Sequence, residues 1–139
     1  PVRLGAVVAP HHPLSDRTDL RLTDLVGYTT ALADASTSIY ALLTEAFARS
    51  DIPFRPAFLT NSTGLLKRLA RQGAAVTLLS RYDIDDEVRE GVLRFIPILG
   101  KELQSHELVL THRTGVTLDP ATALVEEAIR ARIAETSRV

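Results

Sequence analysis

The chain has 139 residues, of which 45% are hydrophobic and 24% are charged, and its formal net charge is -1. This length and composition are typical of one globular domain with a sizeable core. The balanced charge argues against a nucleic-acid-binding surface, which needs concentrated Lys and Arg. Because the sequence contains no Cys, it excludes a disulfide scaffold, a thiolate metal site and a Cys nucleophile.

Targeting signals are also missing from the sequence. No apolar run approaches the roughly 18 residues that a membrane span needs. The start at residues 1–4 (PVRL) has neither an initiator Met nor a signal-peptide pattern. We therefore expect a cytoplasmic protein with no membrane partner, and we interpret this chain as a fragment of a longer one.

Short apolar runs alternate with amphipathic segments along the chain. Residues 3–9 are rich in strand-forming side chains and predict a first strand that ends at Pro10. Residues 22–26 favour a single helical turn, and residues 28–33 predict a second strand.

The next segment predicts a helix followed by a third strand. Ser36 or Thr37 can cap the helix, and the sequence at residues 52–53 (IP) stops it. Residues 54–59 then predict the strand. The apolar face of the helix has helical spacing and consists of Ile39, Leu42, Leu43, Ala46 and Phe47.

A second helix and a fourth strand follow. Residues 60–63 (TNST) supply capping side chains, and Gly73 lies where a helix end favours a left-handed residue. Residues 75–79 are continuously apolar, which is typical of a buried parallel strand. The apolar face of this helix consists of Leu65, Leu66, Leu69 and Ala70.

The last third predicts a short helix, two strands and a long helix. Acidic residues within 83–87 suit the first turn of the short helix, and Gly91 ends it. Residues 92–99 and 107–111 predict the strands, and Asp119 followed by Pro120 marks the start of the final helix. Its predicted inner face is Leu124, Val125, Ala128, Ile129 and Ile133. This order of strands and helices predicts an α/β fold, with a parallel or mixed sheet covered by helices on both faces.

Hydroxyl and amide side chains gather next to the predicted strands. Ligands of α/β sheets bind outside the carboxyl ends of strands. Helix N-termini at that edge present free N–H groups, which suit a small anion or carboxylate. The same residues could instead only cap helices and fill turns. The three clusters are Thr29 with Thr30, Ser36 with Thr37 and Ser38, and Thr60 with Asn61, Ser62 and Thr63.

Patterns of catalytic and metal-binding residues are missing. The sequence has no GxSxG, no phosphate-binding Gly-rich loop and no GxGxxG. His11 and His12 are adjacent, so on an extended chain their side chains point in opposite directions, and no acidic partner completes a metal site. We expect no enzymatic activity, no cofactor and no metal.

Four collinear segments resemble the effector-binding domain of LysR-type transcriptional regulators. Residues 12–14 (HPL) followed by 20–25 (LRLTDL) are similar to one stretch of that domain. Residues 59–73 resemble its strand, polar cap, helix and Gly turn, and residues 74–97 resemble the region that follows. The order and spacing of these motifs persist over nearly the whole chain.

The resemblance implies a fold like that of type II periplasmic binding proteins, with two α/β subdomains and an effector in the cleft between them. Residues of about 19–113 would form a complete second subdomain, and residues 1–18 and 114–139 would form parts of the first. The winged helix-turn-helix and the beginning of the first subdomain would lie outside this chain. Ala75 and Ser80 depart from the Gly and Pro of the family, which affects the expected turn geometry.

The resemblance also implies partners and site residues. We expect a small anionic or carboxylate effector, self-association as a dimer or tetramer, and contact with DNA only through an N-terminal domain outside this chain. A solute-binding protein of a transporter shares the fold and is the alternative. A dimerisation module that uses residues 36–50 and binds no ligand is a third reading. The candidate ligand-binding residues are Thr29, Thr30, Ser36, Thr37, Thr60, Asn61 and Ser62.

Overall fold

The computed structural model of this chain describes residues 2–100, 103, 109–111, 115 and 117–136. It divides the chain into two compact units, which we call unit 1 (residues 1–106) and unit 2 (residues 107–139). Among the described residues, unit 1 contains a five-stranded sheet with three α-helices, and unit 2 contains one α-helix.

The sheet of unit 1 is mixed. Its strand order is β3-β2-β4-β1-β5. Strand β2 is parallel to both β3 and β4, whereas β1 is antiparallel to its two neighbours, β4 and β5. Strand β1 lies within residues 1–18 and is hydrogen-bonded between β4 and β5. The predicted subdomain boundary after residue 18 stays a prediction. The strands are β1 (Leu4–Val8), β2 (Thr30–Ala33), β3 (Phe58–Thr60), β4 (Val76–Ser80) and β5 (Arg94–Pro97).

Each predicted helix is present. The short turn expected near residue 22 is a 3₁₀ helix, Leu22–Leu25, and a second 3₁₀ turn follows β4 at Arg81–Asp83. Helix α2 shows how the sequence sets its ends, because the Ser62 hydroxyl accepts from the Leu65 amide at 3.2 Å and Gly73 is left-handed. The α-helices are α1 (Ser38–Arg49), α2 (Thr63–Arg71), α3 (Asp85–Arg89) and α4 (Pro120–Thr136).

Apolar side chains pack on both faces of the sheet. Successive residues of β1 point to opposite faces, so Ala6 and Val8 belong to one buried cluster and Val7 belongs to the other. The first cluster includes Leu43 and Phe47 of α1, and the second includes residues of α2. The predicted α/β fold, with a mixed sheet between helices, is therefore confirmed.

Two predicted strands differ from the structure. The strand expected at residues 54–59 begins only at Phe58, because Pro53 and Pro56 lack the N–H that a ladder requires. Instead, the Phe54 ring packs edge-on against Phe47, with ring centroids 5.3 Å apart. Of the strand expected at 107–111, residues 109–111 are irregular, and 107 and 108 lie outside the described residues.

Helix α4 begins where the sequence predicts. Asp119 Oδ1 accepts from the amides of Ala121 and Thr122 at 3.0 and 3.1 Å. Leu124 is 67% and Val125 58% exposed, so the described residues of unit 2 do not cover the predicted inner face. Helical spacing shows which residues share a face but not what covers them. Within the described residues, no helix is long and apolar enough to cross a membrane.

Candidate functional site

The carboxyl ends of β2 and β3 meet at one edge of the sheet, which we call the carboxyl edge. The two strands are parallel, with Ala33 opposite Thr60. Their pairing continues one residue beyond β2, because the Asp34 amide donates to the Thr60 carbonyl at 3.2 Å. The turn before α1 and the turn before α2 are therefore neighbours, as expected for ligand-binding edges of α/β sheets.

A chain of hydrogen bonds joins these two turns. The Asn61 amide nitrogen donates to the Ser36 hydroxyl at 3.3 Å, although the two residues are 25 positions apart in sequence. The Ser36 hydroxyl donates to Asp34 Oδ1 at 2.6 Å, and the Ser36 backbone amide donates to the same oxygen at 2.9 Å. The structure thus brings the predicted site residues Ser36 and Asn61 together.

The two helix N-termini at this edge differ in how they are capped. Ser62 caps α2, and its amide donates to the Thr60 hydroxyl at 3.1 Å. Thr37 is the N-cap residue of α1, but its hydroxyl donates to the Asp34 carbonyl at 2.8 Å and accepts no bond from the helix. Helix α1 consequently lacks the side-chain acceptor that an N-cap residue normally supplies to its first-turn N–H groups.

Asp34 is a candidate site residue that the analysis of the sequence missed. The Ser36 hydroxyl and, to a smaller degree, the Ser36 amide hold the pKa of the Asp34 carboxyl below its ordinary value. The carboxylate is therefore ionised at neutral pH. The signal available in the sequence was an Asp two residues before a Ser, directly after a buried strand, which is typical of an Asx turn.

Thr29 and Thr30 lie elsewhere. They are at the amino end of β2, where the Thr29 carbonyl accepts from Val76 at 2.8 Å and the Thr30 carbonyl accepts from Ala57 at 2.9 Å. Thr30 is buried. Since Thr30 is the first of the four residues of β2 and the carboxyl edge follows the last, the structure does not bring these two threonines together with the other candidates.

The open groove along α2 is a different surface. It has a volume of about 500 Å³ and is lined by Lys67, Arg71 and Glu87 among others, and by none of the carboxyl-edge residues named above. Lys67 is already paired with Glu87 at 2.5 Å. Among the described residues, no group of three His, Asp or Glu could hold a metal ion.

Comparison with known families shows to which protein family this chain belongs. Residues 1–134 match the family model of the LysR substrate binding domain. The chain belongs to this family. The resemblance to LysR-type effector domains is thereby confirmed. The comparison with curated proteins gives no match.

Solved structures share the fold of this LysR substrate-binding domain. The effector-binding domain of QuiR in complex with shikimate has a TM-score of 0.63 and 14% identity, covering 91% of this chain and 59% of that one. The regulatory domain of Synechocystis PCC6803 CcmR in complex with 2-PG has a TM-score of 0.66 and 16% identity, covering 94% and 62%. The regulatory domain of MetR, a LysR family regulator from N. meningitidis, has a TM-score of 0.61 and 17% identity, covering 73% and 48%.

These matches show the fold of the chain and the share of each solved chain that it covers. The fold is that of LysR substrate-binding domains, which is similar to type II periplasmic binding proteins. This LysR domain spans 59% and 62% of the lengths of the QuiR and CcmR chains.

Proposed function

We propose that this chain is the effector-sensing part of a cytoplasmic, non-catalytic LysR-family transcriptional regulator. It binds a small polar metabolite with an anionic group at the carboxyl edge. The observation that carries this proposal is the hydrogen bond between Asn61 and Ser36. It joins the turns after two adjacent parallel strands into one polar surface, in a chain that belongs to the LysR substrate-binding-domain family.

The N-terminus of α1 supports an anionic group on the effector. Its N–H groups and the positive end of its dipole attract negative charge, and the Thr37 hydroxyl does not satisfy them. The relatives point the same way, since the QuiR domain was solved with shikimate and the CcmR domain with 2-PG. Of the predicted site residues, Ser36, Thr37, Thr60, Asn61 and Ser62 fit this proposal, whereas Thr29 and Thr30 contribute to the other end of β2.

Regulation would follow from closure of a cleft. In this proposal the carboxyl edge forms one wall of the cleft, and the part of the effector-binding domain that lies outside this chain supplies the other wall. A ligand that binds the closed form more tightly shifts the equilibrium toward it. The shift would alter a dimer or tetramer and thereby reposition DNA-binding domains outside this chain.

The test is ligand binding by the full-length protein. A thermal-shift screen with small carboxylates should give at least one stabilising ligand, as expected when a ligand binds only the folded state. Ser36→Ala and Asn61→Ala should each weaken binding of that ligand by about tenfold, because each removes the hydrogen bond that joins the two turns of the carboxyl edge. Thr18→Ala is the matched control, because Thr18 is exposed and, among the described residues, its side chain bonds only to its neighbour Asp19. No stabilising ligand, or no effect of either site variant, would contradict the proposal.

A second readout separates a regulator from a solute-binding protein. The ligand found in the screen should change the affinity of the full-length protein for DNA, because coupling between two sites is reciprocal. A protein that binds the ligand tightly but shows no DNA binding under any condition would instead favour the solute-binding alternative.

A further inference from the structure

We infer that the open groove along α2 is a second binding site, which takes a small organic compound with a phosphate group. The groove is formed mainly by α2, with Glu87 of α3 on its other side. Its volume of about 500 Å³ lies within the usual range for small-molecule sites. The described lining residues include none of the carboxyl-edge residues, so this inference goes beyond the proposed effector site.

An ion pair holds the two sides of the groove together. Lys67 on α2 and Glu87 on α3 lie 2.5 Å apart, and their side chains are only 28% and 25% exposed. Lys67 Nζ also donates to the Asp83 carbonyl at 3.2 Å, just before α3 begins. These contacts fix α2 against the segment around α3, and they compensate the charge of Lys67 within the protein.

Two arginines on the α2 side carry charges that no carboxylate compensates. Arg68 and Arg71 both line the groove and are exposed. In the part of the chain that the structure describes, neither side chain forms an ion pair or a hydrogen bond. They are three positions apart on one helix, so the two like charges are neighbours and repel each other. Because Glu87 balances only Lys67, the groove keeps two positive charges.

The end of α2 does not use the N–H groups of these two arginines. Cations are favourable in the last turn of a helix, where carbonyl groups lack partners inside the helix. Here, however, the backbone amides of residues 72–74 already bond the carbonyls of Arg68, Leu69 and Ala70, each at 3.0 Å. The helix dipole thus favours the positive charge, while the guanidinium N–H groups stay available to a ligand.

A phosphate monoester matches this side of the groove in charge and in acceptors. At neutral pH it carries about 1.5 to 2 negative charges and three terminal oxygens, enough to balance Arg68 and Arg71 together. Each guanidinium can donate two parallel N–H groups to such a ligand. The Gln72 side chain, which also lines the groove, adds an amide donor. A single carboxylate has one charge and two oxygens, so it would leave one arginine uncompensated.

The groove and the carboxyl edge lie at different positions along the same helix. Ser62 caps α2 at the carboxyl edge, and Arg68 and Arg71 follow it by six and nine residues. At the rise of an α-helix, these offsets correspond to about 9 and 14 Å along the axis. A phosphate compound in the groove therefore leaves room for an effector at the carboxyl edge.

Competing anions test the chemical class. Isothermal titration of the full-length protein, at constant ionic strength, would use glycerol 3-phosphate, inorganic phosphate and succinate. We expect glycerol 3-phosphate to bind and inorganic phosphate to displace it. Succinate should compete at least about tenfold more weakly than inorganic phosphate, because its two charges lie on separate carboxylates and cannot make the same set of charge-assisted hydrogen bonds.

Arginine variants assign the binding to the groove. Arg68→Gln and Arg71→Gln remove the charge but keep a polar side chain with a high helix propensity. Each should weaken binding of glycerol 3-phosphate at least about tenfold, and the double variant should abolish it. Arg55→Gln is the matched control, because Arg55 is exposed and does not line the described groove. It should leave the affinity unchanged, as should Ser36→Ala at the carboxyl edge.

Several results would overturn the inference. It is wrong if glycerol 3-phosphate does not bind, or if the double arginine variant binds it as tightly as the unaltered protein does. It is also wrong if Ser36→Ala removes the binding, since the phosphate would then occupy the carboxyl edge. Competition by succinate as strong as that by inorganic phosphate would overturn the assignment to phosphate compounds.

Discussion

Asp51 and Gly73 occupy the same position in two helix C-terminal motifs, Asp51 after α1 and Gly73 after α2. Both have a left-handed backbone, with φ of 55° and 69°. In each motif the next residue donates its amide to the carbonyl five positions earlier, at 3.0 Å. This is the Schellman arrangement, for which Gly is the preferred residue because it has no Cβ.

The first prediction concerns the residue that is not Gly. Asp51→Gly should raise the free energy of unfolding by about 0.5–1 kcal/mol, because it relieves left-handed strain. Asp51→Ala should give a less stable protein than Asp51→Gly at this φ. Gly73→Ala should destabilise, since its Cβ would also lie 3.3 Å from the His11 ring nitrogen Nε2. Chemical denaturation of all three variants measures this order, and equal stability of the Gly and Ala variants at position 51 would contradict it.

These two positions also show what local sequence could and could not predict. Gly73 and Gly91 were predicted as helix ends, because Gly is the residue that such ends favour, and both are left-handed. Asp51 carries no comparable signal, so only the sequence IP at residues 52–53 indicated where α1 ends. Apolar spacing predicted where the helices lie. The length of β3 depends instead on which of its residues have an N–H to donate to the neighbouring strand.

The candidate site was predictable to a similar extent. Parallel strand order predicts that the turns after β2 and β3 meet, and Ser36 and Asn61 do. Thr29 and Thr30 were grouped with the residues after the strands, although the predicted strand at residues 28–33 already has both near its beginning. The role of Asp34 could not be predicted from spacing, because it depends on which hydroxyl donates to its carboxylate.

A second prediction concerns Gly5 in β1. A Cβ at this position would lie 2.5 Å from the Phe95 ring and 2.7 Å from the Ile96 carbonyl oxygen. Gly5→Ala should therefore lower the free energy of unfolding by about 1–3 kcal/mol, the usual effect of overpacking. Adding Phe95→Leu should recover only part of this loss, because the backbone oxygen cannot move away.

Gly64→Ala is the matched control for Gly5. Gly64 lies in the first turn of α2, and a Cβ there would meet the Ser62 hydroxyl at 3.9 Å, an ordinary van der Waals distance. Since Ala favours a helix over Gly, this variant should be more stable by about 0.5–1 kcal/mol. Thermal unfolding of both variants distinguishes close packing from a general effect of adding a methyl group. The explanation is wrong if Gly5→Ala is as stable as the unaltered protein.

The third prediction compares a buried carboxylate with an exposed one. Asp85 in α3 has a side chain that is 7% exposed, and its two oxygens lie 3.5 Å from Arg81 and 3.2 Å from Arg89. Asp85→Asn should destabilise the protein by about 2–4 kcal/mol, because it leaves the largely buried Arg81 cation without this carboxylate.

Glu45→Gln is the exposed counterpart. It removes the ion pair between Glu45 and Arg49, which are also one helical turn apart, but both of these side chains are more than half exposed. Its effect should be below about 0.5 kcal/mol. Urea denaturation measures the change in the free energy of unfolding for both variants. Changes of equal size would show that burial does not determine how much an ion pair contributes to stability.

The last prediction concerns stability below neutral pH. His12 is half-buried, its ring lies 5.2 Å from that of Tyr28, and its Nδ1 accepts from the Leu14 amide at 3.2 Å. Burial, and then the neighbouring His11, lower its pKa from the ordinary value of 6.5. Between the lowered pKa and 6.5, the unfolded chain binds more protons than the folded one. The His12 contribution to stability therefore falls as pH drops through 6.5, and the loss is complete below the pKa of the folded state.

His12→Asn tests that contribution, because Asn does not titrate but can still accept from the Leu14 amide. The unaltered protein should lose more stability than this variant when the pH falls from about 7.5 to 5, the range in which a His with an ordinary or lowered pKa takes up its proton. His11→Asn should reduce the loss only in part, since it removes the smaller cause and leaves the burial of His12 unchanged. NMR titration reads the His12 pKa directly. A value at or above 6.5, or parallel stability curves for the protein and its His12→Asn variant, would show that protonation of His12 does not oppose folding.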